Sequence, residues 1–386
     1  MAAEPLLRIT PSAVRFRPVP LLTLLLVVLI GVAVAVVFRP AEPPIVIRGK
    51  MGSKVDFFRD QEVQKILLRN RFDVRVDDSG SRDVAVHDIE SYDFVFPSGQ
   101  PAADLIMAER QDNKKDVQSY LLFSSPIVLA TYRPYAQALS AAGVAEPVPR
   151  GAAETLYYRV DIGKFVELTE QGTSWDQIDI RRYGPGSSNV VLAHTPDVCA
   201  SNSGGTYQAM VAYAKYGQRF TTSNEKQVIE FAETPRRIYE AQGAPTADRM
   251  PYYLSAEGKS IAPVVVIYEH QYLAYQLSRP PGRPDRERVL LYPRAHFETQ
   301  PRLLALNDKG RKLAQFLQTD PEVRRRAVQL GFRMLDRNPG TVSSQLNELL
   351  VGRGLDVPAA DDGTYVSLPR FDVFDKFIVE VGGCPR

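Results

Sequence analysis

The chain has 386 residues, 44% of them hydrophobic and 24% charged, with a formal net charge of +2. That length supports a sizeable core and exceeds the usual size of one domain, so two globular lobes are expected. Lys and Arg are scattered without the basic stripe or aromatic interleaving that tracks a phosphate backbone, so nucleic acid is not an expected partner.

The run "LLTLLLVVLIGVAVAVVF", residues 21–38, carries no charge and reaches the length of a membrane-spanning helix. Arg8, Arg15 and Arg17 precede it, which favours a cytoplasmic N-terminus (residues 1–20) and everything after Arg39 outside. A cleaved signal peptide is the competing reading. An uncleaved single-pass anchor in the cell membrane is preferred, because the run exceeds the usual apolar region of a signal peptide and no small-x-small site follows. Either way the remaining chain is extracellular, where a disulfide persists, and Cys199 and Cys384 are the only cysteines. One intramolecular bridge is therefore expected, with two reduced thiols as the alternative.

After the stiff linker "AEPPI", "IVIRG" at residues 45–49 reads as a buried strand. A helix is expected next, capped by Ser53 with Asp56 and carrying Val55, Phe58, Val63, Ile66 and Leu67 at helical spacing. A second strand at 72–76 completes a βαβ unit and hence a parallel sheet. "YDFVFPSGQPAADLI" gives a strand, a polar turn and a helix; "YLLFSSPIVLATY" gives a long extended run.

The same grammar restarts after a Pro, Gly and Ala stretch near 141–153. "KFVELTEQGTSWDQIDI" reads as a helix and turn, "NVVLAHT" as a strand, and "TYQAMVAYAKYG" as a helix stopped by Gly217. "APVVVIYEHQYLAYQL" opens as a second long β-branched run; "VLLYP" and "LLALN" add strands. Two such runs, entering and leaving the middle third, suit a chain that crosses between lobes twice, with hinges near 130 and 265. Asp320, Pro321 and Glu322 start a helix; "FDVFDKFIVEV" is a strand or a helix.

The turn "SNSGGT", Ser201 to Thr206, sits between an apolar run and a helix. It offers bare N–H groups, the positive helix pole and small hydroxyls, which suit an anion or polar oxygen; ordinary helix capping is the duller explanation. Three further turns, Gly52 with Ser53, Ser79 with Ser81, and Ser98 with Gly99, recur at strand ends, where ligands bind in parallel sheets. Tyr268 and Glu269 close the second long run; Glu269 is left open between a ligand contact and an arginine partner. Lys54, Arg82 and Arg294 can complement an anion or simply be solvated. His87, His194, His270 and His296 lack metal-ligand spacing, and the phosphate-loop and nucleophile-elbow motifs are missing, so neither enzyme nor cofactor is expected.

In order and spacing, "GKMGSK", "DSGSRD", "YLLFSSPIVLATY", "SNSGGTYQAM", "VVVIYEHQYLA" and "LALNDKGRKLAQFLQTDPEVRRRAVQLGFR" resemble the extracellular solute-binding proteins of ABC transport systems. The resemblance covers about residues 45–334. It implies a two-lobed α/β fold of the type II periplasmic-binding-protein kind, each lobe a mixed, mostly parallel sheet flanked by helices. Residues 45–130 and 266–386 would form lobe 1, with a C-terminal extension, and 131–265 lobe 2, hinged at two crossover strands. It also implies a cleft holding a small polar or anionic solute on Ser53, Ser81, Ser125, Ser203 and Thr206, with Tyr268 near the hinge. The ligand set thus comprises Gly52, Ser53, Ser79, Ser81, Ser98, Ser125, Ser203, Gly204, Gly205, Thr206, Tyr268 and Glu269. An ABC permease is the implied membrane partner. The anchor in place of a lipid-modified cysteine and the segment after Met334 leave a second reading open: a ligand-free interaction or stress-response module at the cell surface.

Overall fold

A computed structural model describes Leu25 and residues 43–386, apart from 53, 81–83, 86–87, 150–153, 223, 225, 244–248, 298–300, 336–343, 359–363 and 386. The expected anchor at 21–38 and the cap Ser53 lie outside the described residues, Leu25 excepted. Among the described residues no helix is long and apolar enough to cross a membrane.

Strand β1 (Ile45–Met51) pairs in parallel with β2 (Phe72–Asp78) and β3 (Phe94–Phe96). Between β1 and β2 the expected single helix is two pieces, a turn at Val55–Arg59 and α1 (Gln61–Arg69). The break is at Asp60. Its backbone is extended, and its carboxylate accepts from the amides of Glu62 and Val63 at 3.1 Å, ending one helix and capping the next. The same carboxylate takes two hydrogen bonds from Arg326, at 2.8 and 2.7 Å, which hold its pKa below the usual range.

Helix α2 (Gln100–Asp112) follows β3, and β4 (Gln118–Leu121), β5 (Phe123–Ser124) and β6 (Ile127–Tyr132) follow in turn. The first sheet has the order β2-β1-β3-β12-β4, where β12 (Arg302–Ala305) lies antiparallel to both neighbours. β6 starts the second sheet, so the chain changes sheets between Leu121 and Ile127, within the first expected crossover. Helix α3 (Arg133–Ala141), β7 (Ala145–Val148), β8 (Tyr157–Val160) and α4 (Ile162–Glu170) come next; β7 falls inside the Pro, Gly and Ala stretch near 141–153.

The expected strand "NVVLAHT" is not one. It touches the second sheet through a single parallel bridge, His194 with Val265 beside β9 (Val264–Tyr268), and meets Ser174 through another. The return crossover also differs from expectation. After β9 and α7 (Glu269–Ser278) the chain re-enters the second sheet as β10 (Arg288–Pro293), giving the order β7-β8-β10-β6-β9. It returns to the first sheet only through β12. β6 lies antiparallel between β10 and β9, as β12 lies between β3 and β4, and β7 lies antiparallel to β8, so the second sheet, parallel only between β8 and β10, is mostly antiparallel rather than mostly parallel as expected.

Helices α5 (Asn202–Tyr216) and α6 (Val228–Ala241) lie between β8 and β9 in sequence; α5 ends at Gly217, whose φ of 59° suits glycine. Beyond the sheets come α8 (Asp308–Thr319), α9 (Pro321–Gln329) capped by Asp320, α10 (Gln345–Gly352) and α11 (Phe371–Gly382), which settles the terminal segment as helix. Two ribbons complete the fold: β11 (Ala295–Phe297) with β14 (Thr364–Val366), and β13 (Arg333–Met334) with β5. Cys199 and Cys384 are bonded to each other, as expected.

Candidate functional site

A cavity of about 490 Å³ opens where turns of the first sheet meet the second. One wall is Asp56 and Arg59 after β1, with Asp78, Ser79 and Gly80 at the end of β2. The other is Asp197, Ser201 and Ser203 before and at the start of α5, with Val266 and Tyr268 of β9 and Gln271 behind them. The Ser79–Gly80 turn follows directly on the end of β2; the start of α5 is fixed by glycines that permit close packing. A Cβ at Gly204 would sit 2.6 Å from the Pro196 carbonyl oxygen, and one at Gly205 2.6 Å from Ile378. Those two glycines therefore serve packing.

Capping does not account for the polar turn. Ser201, the N-cap residue, makes no side-chain capping bond; its Oγ lies 3.0 Å from Ser203 Oγ. Asn202 does not cap either, since its Nδ2 donates to Tyr268 Oη at 3.1 Å. The helix start thus keeps its positive pole at the cavity wall. Opposite charge is also near: Asp78 pairs with Arg59 at 3.3 Å, and Asp197 Oδ1 accepts from the Cys199 amide at 2.8 Å and from Tyr239 Oη at 3.4 Å.

Of the residues expected to meet a ligand, Ser79, Ser203 and Tyr268 line this cavity. Ser53 and Ser81 lie outside the described residues. Gly52 donates its amide to the Phe96 carbonyl at 3.1 Å, Ser98 is buried, and Ser125 Oγ accepts the His270 amide at 3.0 Å. Thr206 is fully buried within α5, its hydroxyl without a hydrogen-bond partner. Glu269 is resolved in favour of the arginine: its oxygens accept from Arg333 Nε and Nη2 at 2.6 and 2.7 Å, and Tyr292 Oη donates at 2.6 Å. Glu269 is 0% exposed and is not among the residues that line the cavity.

Lys54 is not the solvated residue its sequence suggested. It is 0% exposed, its Nζ has no hydrogen-bond partner, and the atom sits 2.9 Å from the centroid of the Tyr268 ring. Burial drives its pKa well below that of a free lysine, against the pull of Asp56. His270 is likewise pushed well down by burial and by Lys54. Arg294, by contrast, is exposed and pairs with Glu146 at 2.7 Å. Sequence reasoning missed Arg59, Asp78, Asp197 and Gln271 as cavity-lining residues; only their position next to the hydroxyl-rich turns and Tyr268 pointed to them.

Solved structures share this fold. The periplasmic binding protein AfuA from Actinobacillus pleuropneumoniae, with exogenous fructose-6-phosphate bound, is similar at a TM-score of 0.51 and 8% identity, over 88% of this chain and 99% of that one. The iron-bound HitA from Pseudomonas aeruginosa is similar at a TM-score of 0.50 and 10% identity, over 88% and 100%. The chain has the fold of the periplasmic solute-binding proteins. No family model and no curated protein matches its sequence. The space walled by Ser79, Ser201, Ser203 and Tyr268 lies between the two sheets of this fold.

Proposed function

We propose that this chain is an extracellular solute-binding protein that captures a small polar solute between its two sheets without altering it chemically, for ABC-type uptake or for sensing. The observation that carries the reading is the uncapped start of α5 at the wall of a 490 Å³ cavity, facing hydroxyls and carboxylates on the opposite wall. A mixed lining of this kind suits a solute with hydroxyls for Asp56, Asp78 and Asp197 to accept from, and one anionic group for the helix pole. Three carboxylates against one guanidinium disfavour a multiply charged bare anion. The division into lobes at residues 45–130, 131–265 and 266–386 is modified in this proposal: β10 assigns residues 288–293 to the second lobe. Residues 21–38 serve as the membrane tether, and a permease is the partner that uptake would require.

A second reading, the ligand-free interaction module, draws on the tightness of the cavity rim. A Cβ at Gly80 would lie 2.7 Å from the Ala200 carbonyl oxygen, and one at Gly99 2.4 Å from Asn202 Oδ1. A thermal-shift panel of sugar phosphates, neutral sugars, inorganic oxyanions, ferric iron and amines separates the two. A solute at a hundred times its dissociation constant adds about 2.7 kcal/mol. Solute capture predicts such a shift with at least one class and its loss in Ser79→Tyr, which fills the cavity; a flat panel in the wild-type chain supports the interaction module.

A further inference from the structure

The loop at residues 196–203 has two working faces. Pro196, Asp197, Ala200 and Ser201 line the cavity on one side. On the other, Val198, Cys199, Ala200 and Ser201 line a small apolar slot closed by Phe371, Phe374 and Ile378 of α11. The wall of the candidate site is therefore also the seat of the C-terminal helix.

That helix packs at its two ends against two different apolar clusters. Its apolar stripe, Val373, Phe374, Phe377, Ile378 and Val381, is buried. Toward its C-terminal end Phe377 meets Phe220, ring centroids 5.0 Å apart, and Arg236 of α6 donates to the Glu380 carbonyl at 2.6 Å and its carboxylate at 2.8 Å. Gly382 lies so close to Val198 that a Cβ there would be 2.5 Å from Cγ2, and Cys384 is bonded to Cys199 in the loop itself. At the N-terminal end, Phe371 packs against a separate apolar cluster built from the first sheet and its helix, including Val95, Ala102, Ile106 and Leu304.

We propose that α11 is a strap: covalently fixed to the wall loop at one end and seated on the first-sheet cluster by Phe371 at the other, it holds residues 196–203 against the turns at Gly80 and Gly99 and so controls how far the cavity opens. The physical reason is that a helix tied at both ends turns separation of the two clusters into loss of the Phe371 contact, an apolar side chain leaving its cluster for water. The strap acts whichever solute occupies the cavity, and it acts equally if none does.

Hydrogen–deuterium exchange on the full chain reads it without a ligand. The loop amides are measurable because Cys199 N donates to Asp197 Oδ1 and Ser201 N to the Asp197 carbonyl. Phe371→Ala is expected to raise exchange at residues 196–206, 79–80 and 98–99 at least tenfold while β1 and β9 keep wild-type protection, and the pair Cys199→Ser with Cys384→Ser to do the same. Unchanged protection of the loop in Phe371→Ala, or faster exchange spread equally into β1 and β9, overturns the strap. If the cysteine variant does not fold, Phe371→Ala alone decides.

Discussion

Two buried charges stand on either side of one residue, Tyr268, and they are treated in opposite ways. Glu269 is sealed from solvent with a two-pronged arginine and a tyrosine hydroxyl on its oxygens, and these bonds tie α7 to β13 and β10. Lys54 is sealed just as completely with an aromatic face and no hydrogen-bond acceptor, and burial pulls its pKa well below that of a free lysine. The contrast separates architecture from site: a satisfied charge is scaffold, and an unsatisfied group beside the cavity wall is where the molecule keeps an expensive residue for another reason.

The largest expected effect comes from breaking the satisfied side. Glu269→Ala leaves the Arg333 guanidinium, its side chain 12% exposed, without its partner and should cost about 3–5 kcal/mol in urea unfolding. The double change Glu269→Met with Arg333→Met should recover most of that loss; if it does not, the pair is not the unit described.

A half-buried base sharpens the rule. Burial and the Arg249 cation bring His194 down to about 4. Because the unfolded state binds the proton from about pH 6.5 while the folded state resists it, stability should fall as pH drops from 6.5 toward 4, by up to about 3 kcal/mol. His194→Gln should flatten that stretch of the stability curve, and an unchanged slope would remove His194 from the account.

Lys54→Met should act in the reverse direction to Glu269→Ala, stabilising the protein at neutral pH by roughly 1–2 kcal/mol. The wild-type chain should also gain stability as pH rises toward about 10.4, since the lowered folded pKa makes the unfolded lysine hold its proton more tightly than the folded one; the variant should lack this rise. A destabilised variant with the slope intact would mean that the amine is held charged.

Much of the frame was legible because it is local. Unbroken apolar runs such as "VVVIY" gave β9, and Asp320 with Pro321 gave the start of α9. What failed was decided at a distance. The helix periodicity across 55–67 continues through Asp60, and only Arg326, far along the chain, shows why the backbone turns there. "VLLYP" reads as a strand, but its membership in the second sheet depends on pairing with Thr131 and Tyr157. For the site, the hydroxyl-rich turns pointed to Ser79 and Ser203, whereas Ser125 is spent on His270 and Lys54 turns inward. Composition shows which groups can bond; burial by remote segments decides which already do.

The central claim, that the cavity between the sheets holds a small polar solute, is tested most directly by native mass spectrometry of freshly purified protein, wild type beside Ser79→Tyr. The account predicts a noncovalent small-molecule mass on the wild-type chain, released on acid denaturation and missing from the variant. A wild-type chain that carries no such mass, and takes up none when incubated with the solute panel, would contradict it.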